Sequence, residues 1–352
     1  MPLTFSTLDA FFAHGFDTVI DVRSPSEFAE DHVPGAISLP VLDDEERARV
    51  GTIYKQQSPF LARKLGAALV FRNAAAHVEG PLSHHEGGWR PLVYCWRGGQ
   101  RSGSFAWMLK EIGWRSETVQ GGYRTYRRLV NDYLYDTALR HRLVLIDGNT
   151  GTAKTDLLHV LAERGWQVLD LEGAAHHRGS LLGGMGEQPS QKAFETTLAR
   201  ALTALDPARP VLVEAESSKI GERIIPPALW ALMKNAPRIA IEAPMQARVG
   251  YLARAYDDVL SDGPRLENLL WHLRGVRGHE VVDGWLARMA AGDKLGLTEA
   301  LMAQHYDPAY AKSRRTIGVD PVATVQAETL DAAGVAATAS GVERVLAQPP
   351  FA

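Results

Sequence analysis

The chain has 352 residues and a mass of 38.5 kDa, more than one hydrophobic core usually organises, so two domains are expected and a single small module is excluded. Its composition, 45% hydrophobic and 22% charged, is that of an ordinary soluble globular protein. A formal charge of -3 excludes binding of nucleic acid through bulk positive charge, although a local basic face remains open. With one cysteine, Cys95, and no apolar signal or membrane-spanning run in the sequence, we expect a cytoplasmic protein without a membrane partner.

The first third of the chain predicts an α/β unit. Residues 18–22 form an apolar strand pattern, and Ser24 followed by Pro25 is typical of a helix start. A second strand is predicted over residues 91–94 and a helix over 102–112, ended by Gly113. Residues 41–88 between them are helical and loop-rich, which indicates an insertion on the first domain.

The strand-and-helix pattern starts afresh near residue 142. Residues 143–147 form a near-continuous apolar run that suits a buried parallel strand, and further strands are predicted over 167–171, 211–214 and 239–241. These features predict a doubly wound parallel sheet. From residue 265 onward the chain is mostly helical and ends in an Ala-rich frayed or packing tail. The expected division is a first domain over 1–130, a linker over 131–141 and a second domain over 142–352.

A cysteine loop follows the strand at 91–94. Two glycines in this loop let successive amide groups point inward, and the helix that follows adds its positive end, so the loop predicts an anion cradle. The same field favours the thiolate of Cys95, which makes it a candidate nucleophile. Two arginines could add charge-assisted bonds to the anion. The cradle residues are Trp96, Arg97, Gly98, Gly99, Gln100 and Arg101.

This loop resembles two families. The spacing from Cys95 to Arg101 and Ser102 resembles the phosphate loop of cysteine-dependent phosphatases. The upstream residues 21–28 (DVRSPSEF) and 32–36 (HVPGA), with Gly121 and Gly122 further on, resemble the rhodanese domain, which transfers sulfur from its loop cysteine. The second resemblance covers residues 1 to about 130 in order, and it implies a rhodanese-like α/β fold for the first domain.

A second glycine-rich loop follows the strand at 143–147 and opens a helix, the context that a Walker A motif demands. Its backbone amides would wrap a phosphate or diphosphate, Lys154 would neutralise it, and the Thr155 hydroxyl could ligate Mg²⁺. The motif departs from the usual pattern at Ala153, which keeps the turn if its backbone dihedrals are negative. The loop residues are Gly148, Asn149, Thr150, Gly151, Thr152, Ala153, Lys154 and Thr155. The second domain is therefore predicted to be P-loop NTPase-like.

Polar residues cluster at the predicted carboxyl ends of the strands in this domain, where doubly wound sheets bind ligands. One of the carboxylates could assist Mg²⁺, and the sequence leaves open which one. A long polar, Gly-rich connection between residues 176 and 191 is typical of a functional loop. The candidates around the P-loop are Asp170, Glu172, His177, Arg178, Ser180 and Glu214, with Glu216 as a further strand-end carboxylate.

Basic and aromatic residues concentrate between residues 89 and 142. This segment contains ten Lys or Arg and four acidic residues, so it carries +6 against -9 for the remainder. Its aromatic rings could stack on unpaired bases, or they could belong to the core beneath a solvated helix face. The sharpest candidates for contact with RNA are Arg124, Arg127 and Arg128.

A rhodanese-like domain followed by a P-loop domain is a rare order. Together with residues 170–173 (DLEG), 177–180 (HRGS) and 188–191 (QPSQ), it makes the chain similar to bacterial tRNA 2-selenouridine synthases. The resemblance implies replacement of sulfur by selenium at C2 of a 2-thiouridine in the tRNA wobble position, through an S-geranyl intermediate. It implies selenophosphate and geranyl diphosphate as co-substrates, no tightly bound cofactor, and Cys95 as a residue that takes up selenium or helps to deliver it.

Two other functions fit the same loops. One is a rhodanese-type sulfurtransferase fused to a nucleotide-dependent, kinase-like domain. Nucleotide turnover without tRNA would favour this alternative. The other is an RNA-binding adaptor whose loops only hold phosphates, in which case activity would survive replacement of both Cys95 and Lys154.

Overall fold

The computed structural model describes residues 1–180, 182–317, 320–349 and 351, with backbone alone for residues 313–317. It contains two compact units, the first formed by Met1–Ala138 and Pro189–Thr203 and the second by Leu139–Gln188 and Ala204–Ala352. The division differs from the expected one in two respects. Most of the expected linker belongs to the first unit, and a segment from the middle of the chain returns to that unit.

The first unit is an α/β fold around a small sheet. Its elements in chain order are α1 (Leu8–Phe12), β1 (Thr18–Asp21), α2 (Pro25–Glu30), β2 (Ile37–Ser38), α3 (Asp44–Gln56), α4 (Pro59–Glu79), β3 (Pro91–Tyr94), α5 (Gln100–Ile112), β4 (Glu117–Thr118), α6 (Gly122–Asn131) and a π-helix (Asp132–Asp136). The four strands are parallel, in the order β2-β1-β3-β4. Parallel neighbours place the carboxyl ends of β1 and β3 at the same edge, so the cysteine loop after β3 lies beside the turn that starts α2.

Local sequence signals explain how these elements begin. The Ser24 amide donates to the Glu27 carboxylate at 3.0 Å, and Pro25 occupies the first position of α2, as expected from the sequence. The insertion is a pair of helices, α3 and α4, joined by two residues. Asp43 caps α3 in a capping box with Glu46, and the Ser58 hydroxyl caps α4. These caps fix the insertion as a helical hairpin.

The second unit contains the larger sheet. Its elements, with one helix of the first unit among them, are β5 (Arg142–Asp147), α7 (Lys154–Glu163), β6 (Gln167–Leu169), α8 (Leu171–Ala175), α9 (Gln191–Ala204), β7 (Pro210–Glu214), β8 (Lys219–Ile220), β9 (Arg223–Ile224), α10 (Pro227–Asn235), β10 (Arg238–Glu242), α11 (Met245–Ala255), α12 (Asp257–Leu260), α13 (Gly263–His272), α14 (Arg274–Arg277), α15 (His279–Ala290), α16 (Lys294–Leu301), a π-helix (Met302–Tyr306), α17 (Asp307–Ile317), β11 (Ala323–Gln326) and α18 (Ala332–Leu346). The helix that belongs mainly to the first unit is α9.

The large sheet has five parallel strands in the order β11-β10-β5-β7-β6. The predicted doubly wound architecture is therefore confirmed, with β5 in the centre. The chain leaves β5 toward β7 and β6 on one side and toward β10 and β11 on the other, which creates the switch point where such sheets bind ligands. The glycine-rich loop follows β5 directly.

The C-terminal region is more ordered than a frayed tail. Strand β11 extends the sheet beside β10, and α18 packs into the core of the second unit through Val335, Ala339 and Val342, which are at most 5% exposed. The sequence does not predict β11 because its four residues lie within a long helical stretch. Among the described residues, no helix combines the length and the apolar character needed to cross a bilayer.

Candidate functional site

The cysteine loop connects β3 to α5, and Cys95 lies at its base. The thiol is 3% exposed, and the Ser102 hydroxyl donates to Sγ at 3.3 Å. Ser102 belongs to the first turn of α5, so the hydroxyl and the helix N-terminus approach the sulfur from the same side. The positive N-terminal end of α5 therefore lies at the base of the loop, as the predicted anion cradle requires.

The amino end of α6 closes the other side of this loop. The Tyr123 amide donates to the Cys95 carbonyl at 2.8 Å, and the Arg124 amide donates to the Trp96 carbonyl at 3.0 Å. Gly122 makes this approach possible, because a Cβ there would overlap the Cys95 carbonyl oxygen and lie 3.0 Å from the carbonyl carbon. The glycine pair noted in the sequence thus has a structural role: it brings α6 against the cysteine loop.

The two arginines of the loop are in different situations. Arg97 is exposed at the rim. Arg101 is largely buried and donates to the Glu27 carboxylate at 2.8 Å. Burial alone would raise the pKa of Glu27, but the Arg101 guanidinium holds it below the ordinary value. Arg97 is therefore available to an incoming anion, whereas Arg101 already has a carboxylate partner; the predicted contact of both arginines with the anion stays a prediction.

Beneath the loop, a buried ion pair fixes the ends of β1 and α2. Arg23 is 1% exposed, binds the Asp21 carboxylate at 2.6 Å and donates to the Asp31 carbonyl at 2.6 Å. Its guanidinium also lies 4.0 Å from the centre of the Tyr123 ring. The DVR segment that suggested the rhodanese resemblance is therefore a structural anchor for the loops around Cys95.

The structure corrects the predicted basic face on α6. Arg124 and Arg128 are exposed, but Arg127 forms an ion pair with Glu195 of α9, a carboxylate that is 1% exposed. The Tyr135 hydroxyl and the Gln191 amide donate to the same carboxylate. Arg127 therefore holds α9 in the first unit, and its charge is not free for RNA. Sequence reasoning missed Glu195 because its partner lies 68 residues away.

The aromatic rings of that segment are also mostly internal. Trp114, Tyr123 and Tyr126 are at most 7% exposed, and Tyr123 donates to the Asp31 carboxylate at 2.7 Å. These rings cannot stack on bases without unfolding the core. The alternative that placed them in the core beneath a solvated helix face is the correct one for these three residues.

In the second unit, the lysine of the glycine-rich loop binds the backbone of the same loop. Lys154 Nζ donates to the Gly148 carbonyl at 2.9 Å. Burial would lower the pKa of Lys154, but Tyr310, Glu172 and Glu216 raise it above the ordinary value, so the side chain stays cationic. Gly148 is required at the start of the loop, because a Cβ there would lie 2.8 Å from the Ile241 carbonyl oxygen.

Ala153 adopts a conformation that the sequence analysis did not expect. Its φ is 56° and its ψ 34°, in the left-handed region, so the condition of negative dihedrals is not met. This conformation costs a non-glycine residue about 1 kcal/mol. The loop retains its shape because Ala153 is 4% exposed and packs into the core of the unit.

A carboxylate pair faces the end of this loop. The Thr155 hydroxyl donates to Glu172 at 2.8 Å. Burial and the charge of Glu172 raise the pKa of Glu216 to about 7. Of the strand-end carboxylates that the sequence offered, Glu172 is therefore the one that contacts the P-loop hydroxyl, and Glu216 is its neighbour.

The remaining predicted residues divide into two groups. Asp170, Arg178 and Ser180 line a cavity with the P-loop, and Arg178 binds Asp258 at 3.0 Å. Glu214 and His177 are outside its lining. Glu214 is fully buried and accepts the Leu171 amide at 3.1 Å, and burial raises its pKa well above the ordinary value. Its role is to support the start of α8.

The cavity has a volume of about 1170 Å³. Besides the polar residues already described, apolar and aromatic side chains line it: Val160, Met185, Tyr251, Leu252, Ala255, Tyr256, Tyr306, Ala309, Tyr310, Leu330 and Val335. Most of these come from helices and connections after β10, which the sequence analysis did not connect with a site. The spacing of Tyr306 and Tyr310, four residues apart, was the available signal.

A further residue that the sequence did not reveal binds the backbone of the P-loop. Arg248 of α11 is 5% exposed, donates to the Thr150 carbonyl at 2.8 Å and binds Asp307 at 2.6 Å. It therefore ties the loop to α17, the helix that carries Tyr310. The described residues include no group of three or more His, Cys, Asp or Glu side chains arranged for a metal ion. Mg²⁺ at a phosphate site needs fewer protein ligands, because phosphate and water complete its shell.

The fold and these two loops define a chain with a rhodanese-like domain and a P-loop domain. The rhodanese-like domain family matches residues 5–129, and the tRNA 2-selenouridine synthase AAA domain family matches residues 141–264. The chain belongs to the tRNA 2-selenouridine synthase family, because relatives of that name are similar over most of its length. The relative from Alcanivorax borkumensis is 34% identical over 83% of this chain and 88% of its own.

Other relatives of the same name match a shorter region. The relative from Nitrosomonas europaea is 37% identical, over 68% of this chain and 63% of its own length. The one from Chromohalobacter salexigens is 39% identical, over 69% of this chain and 66% of its own. The matched region thus spans less than two thirds of these two relatives.

Proposed function

We propose that this protein is a tRNA 2-selenouridine synthase that replaces sulfur by selenium at C2 of the wobble 2-thiouridine through an S-geranyl intermediate. Membership of the family supports the enzyme class. The observation that carries the finer proposal is the large cavity of the second unit, which combines a cationic phosphate loop with an apolar and aromatic lining. Geranyl diphosphate would use both, since its diphosphate needs positive charge and its hydrocarbon chain needs apolar surface.

In the first step, the thiocarbonyl sulfur of the tRNA base attacks C1 of geranyl diphosphate. A sulfur–carbon bond forms, the bond between C1 and the diphosphate oxygen breaks, diphosphate departs, and the base loses its N3 proton to water. Lys154 and the amides of the loop from Gly148 to Thr152 would hold the negative charge that develops on the leaving group. The position of Lys154 between that loop and the Tyr310 ring, 5.6 Å away, supports this role.

The residues near Lys154 also suit a divalent cation. Thr155 and Glu172 would hold Mg²⁺, since oxygen ligands are those it prefers and these two lie within 2.8 Å of each other. Burial and, after it, the charge of Glu172 raise the pKa of Glu216, and a cation would relieve the repulsion between these two carboxylates. Bound there, Mg²⁺ would add positive charge opposite the departing diphosphate.

The second step brings selenium to C2. Thiolate attack on the selenium of selenophosphate would leave phosphorus reduced and would require a second thiol later, but Cys95 is the only cysteine of the chain. Attack on phosphorus needs no redox partner. The Cys95 sulfur forms a bond to phosphorus, the phosphorus–selenium bond breaks, and selenide is released. Water then hydrolyses the cysteinyl phosphate to phosphate and restores the thiolate.

Selenide adds to C2 of the geranylated base, and geranyl thiolate leaves as the selenocarbonyl forms. Geranylation makes this exchange possible, because a thiolate that carries a carbon substituent is a better leaving group than the sulfur of a thiocarbonyl. Arg97 at the rim would hold the phosphate of selenophosphate near Cys95. The expected cytoplasmic location stays a prediction.

The experiment that tests this function follows each half separately. Purified protein is incubated with 2-thiouridine tRNA and geranyl diphosphate, and nucleosides are analysed by mass spectrometry. Lys154→Ala should reduce the rate of geranylation at least 100-fold. The control Lys219→Ala replaces an exposed lysine of the same unit and should leave the rate unchanged. Unchanged geranylation by a folded Lys154→Ala variant would exclude the diphosphate role.

Labelled selenophosphate tests the cysteine step. With phosphorus-32 the label should appear on Cys95 and vanish in Cys95→Ser, whereas selenium-75 should not stay on the protein. Selenium on the cysteine without phosphorus would favour a selenopersulfide, and neither label on the protein would refute covalent catalysis.

A further inference from the structure

One stretch of the first unit carries positive charge without a single acidic residue. Residues 47–78 contain six cationic side chains of Lys and Arg and no Asp or Glu. They lie on α3 and α4, the helical hairpin that the sequence analysis described only as an insertion. The six cations are Arg47, Arg49, Lys55, Arg63, Lys64 and Arg72, and all are exposed. None of them is ion-paired with any residue whose side chain the structure describes.

The same hairpin exposes aromatic rings. Tyr54 is 57% exposed, Phe60 66% and Phe71 38%. Trp107 of α5 is 55% exposed, and its ring stands at 87° to that of Phe71 with the centroids 6.0 Å apart. Phe71 and Trp107 are in contact although both are exposed, and adjacent exposed aromatic rings indicate a binding site because apolar surface left in water is unfavourable for folding alone.

Helical geometry places several of these side chains in one row. Phe60, Lys64 and Phe71 are separated by four and seven residues, so they lie on one face of α4. At 1.5 Å per residue, the two rings are about 16 Å apart along the helix. Arg63 flanks this row. The surface therefore alternates rings with cations, the arrangement that single-stranded nucleic acids require for base stacking and phosphate contact.

The cations and rings of the segment from 89 to 142 are in a different environment from those of the hairpin. Four of the segment's cations are paired with carboxylates: Arg90 with Asp17, Arg101 with Glu27, Lys110 with Glu117 and Arg127 with Glu195. Three of its rings are in the core. The hairpin thus combines six cations without ion-pair partners among the described side chains and three exposed rings, whereas the segment from 89 to 142 has four of its cations in ion pairs and three of its rings in the core.

The hairpin also begins beside the cysteine loop. Asp44, the first residue of α3, accepts the Ser26 hydroxyl of α2 at 2.5 Å. The next residue of α2, Glu27, binds Arg101 of the cysteine loop. An RNA strand along the hairpin would thus run toward the loop that contains Cys95.

We propose that the α3–α4 hairpin, together with Trp107, is a binding surface for the tRNA, with its cations on phosphates and its rings on unpaired bases. The proposal rests on the proposed function, which makes tRNA the substrate. It assigns to the insertion a role that the exposed arginines of α6 were expected to fill.

Binding of a fluorescein-labelled tRNA transcript, measured by anisotropy between 50 and 200 mM KCl, tests this surface. Arg63→Glu with Lys64→Glu should weaken binding at least 10-fold and reduce the slope of log Kd against log salt by about two. The pair Arg63→Gln and Lys64→Gln should show a smaller change of the same sign.

Truncation of the rings tests stacking separately from charge. Phe60→Ala with Phe71→Ala should weaken binding about 10-fold and leave the salt slope unchanged, because stacking releases no counterions. The matched control reverses two exposed cations of the same unit, Arg124→Glu with Arg128→Glu, and should change binding less than 3-fold.

Wild-type affinity in folded hairpin variants would overturn the proposal, and so would a larger loss in the α6 control. If Phe60→Ala with Phe71→Ala instead abolished self-association in sedimentation and kept RNA affinity, the surface would be an interface with a second copy. Failure of the proposed function is distinct: wild-type protein would then bind tRNA through the hairpin but form no 2-selenouridine.

Discussion

Gly122 allows a direct test of how the first unit positions its cysteine. It is the first residue of α6, has a φ of +58°, and leaves no room for a Cβ against the Cys95 carbonyl. In Gly122→Ala the helix must retreat from the loop, which breaks the bonds from the Tyr123 amide at 2.8 Å and the Arg124 amide at 3.0 Å.

The magnitude follows from these losses. Two backbone hydrogen bonds contribute about 0.5 to 1.5 kcal/mol each. Left-handed backbone strain on alanine adds about 1 kcal/mol. Opening of the cysteine loop should therefore become easier by about 2 to 4 kcal/mol, which corresponds to about 30- to 1000-fold in the equilibrium for exposing the thiol.

The lone cysteine makes the assay specific. Cys95 is 3% exposed, so the rate at which a thiol reagent labels the native protein reports opening of this loop alone. Gly122→Ala should raise that rate by at least 30-fold. The control is Gly98→Ala in the same loop, where a Cβ meets nothing within 4 Å, and its rate should stay within about 2-fold of wild type. Equal rates for the two variants would refute the proposed contact between α6 and the loop.

Two further predictions concern buried charge. Burial and Glu172 raise the pKa of Glu216 from 4.5 to about 7, so the folded state binds the proton more tightly and stability is lost as pH rises from 4.5 through 7. Glu216→Gln should remove about 2 to 3 kcal/mol of this pH-dependent loss of stability. The midpoint of urea unfolding should then depend less on pH than in the wild type, and parallel pH profiles of the two proteins would contradict the prediction. Arg127→Ala leaves the buried Glu195 without its cation and should destabilise the protein by about 3 kcal/mol in urea unfolding, whereas the exposed Arg128→Ala should cost at most about 0.5 kcal/mol; similar losses would show that the ion pair is unimportant.

The parts of the fold that were predictable depend on local patterns. Continuous apolar runs located β3, β5 and β7, and the glycine-rich loop after β5 followed from its strand-to-helix context. The position of α9 in the first unit was not predictable, because it rests on Glu195 and Thr196, which contact residues more than 60 positions earlier in the chain. Similarly, β11 is a short edge strand whose partner β10 lies about 80 residues before it.

The same distinction applies to the candidate sites. Residue types and spacing make Cys95, Lys154 and Thr155 candidates, and the structure places each of them in the strand-to-helix segment where the sequence predicts it. Charge counting included Arg127 among the RNA contacts because a sequence cannot show that this arginine is paired with Glu195; the contacts predicted for Arg124 and Arg128 stay a prediction. The tyrosines of the cavity were missed since Tyr251 and Tyr310 belong to different helices that meet only in the folded unit.

One measurement directly tests the central claim, that two loops of one chain carry out successive steps on the tRNA base. Cells that lack their own synthase are complemented with wild type, Cys95→Ser or Lys154→Ala. Their total tRNA is digested to nucleosides, which are measured by mass spectrometry. Wild type should restore 2-selenouridine, Cys95→Ser should accumulate S-geranyl-2-thiouridine, and Lys154→Ala should leave 2-thiouridine. Formation of 2-selenouridine at the wild-type level by both variants would contradict the account.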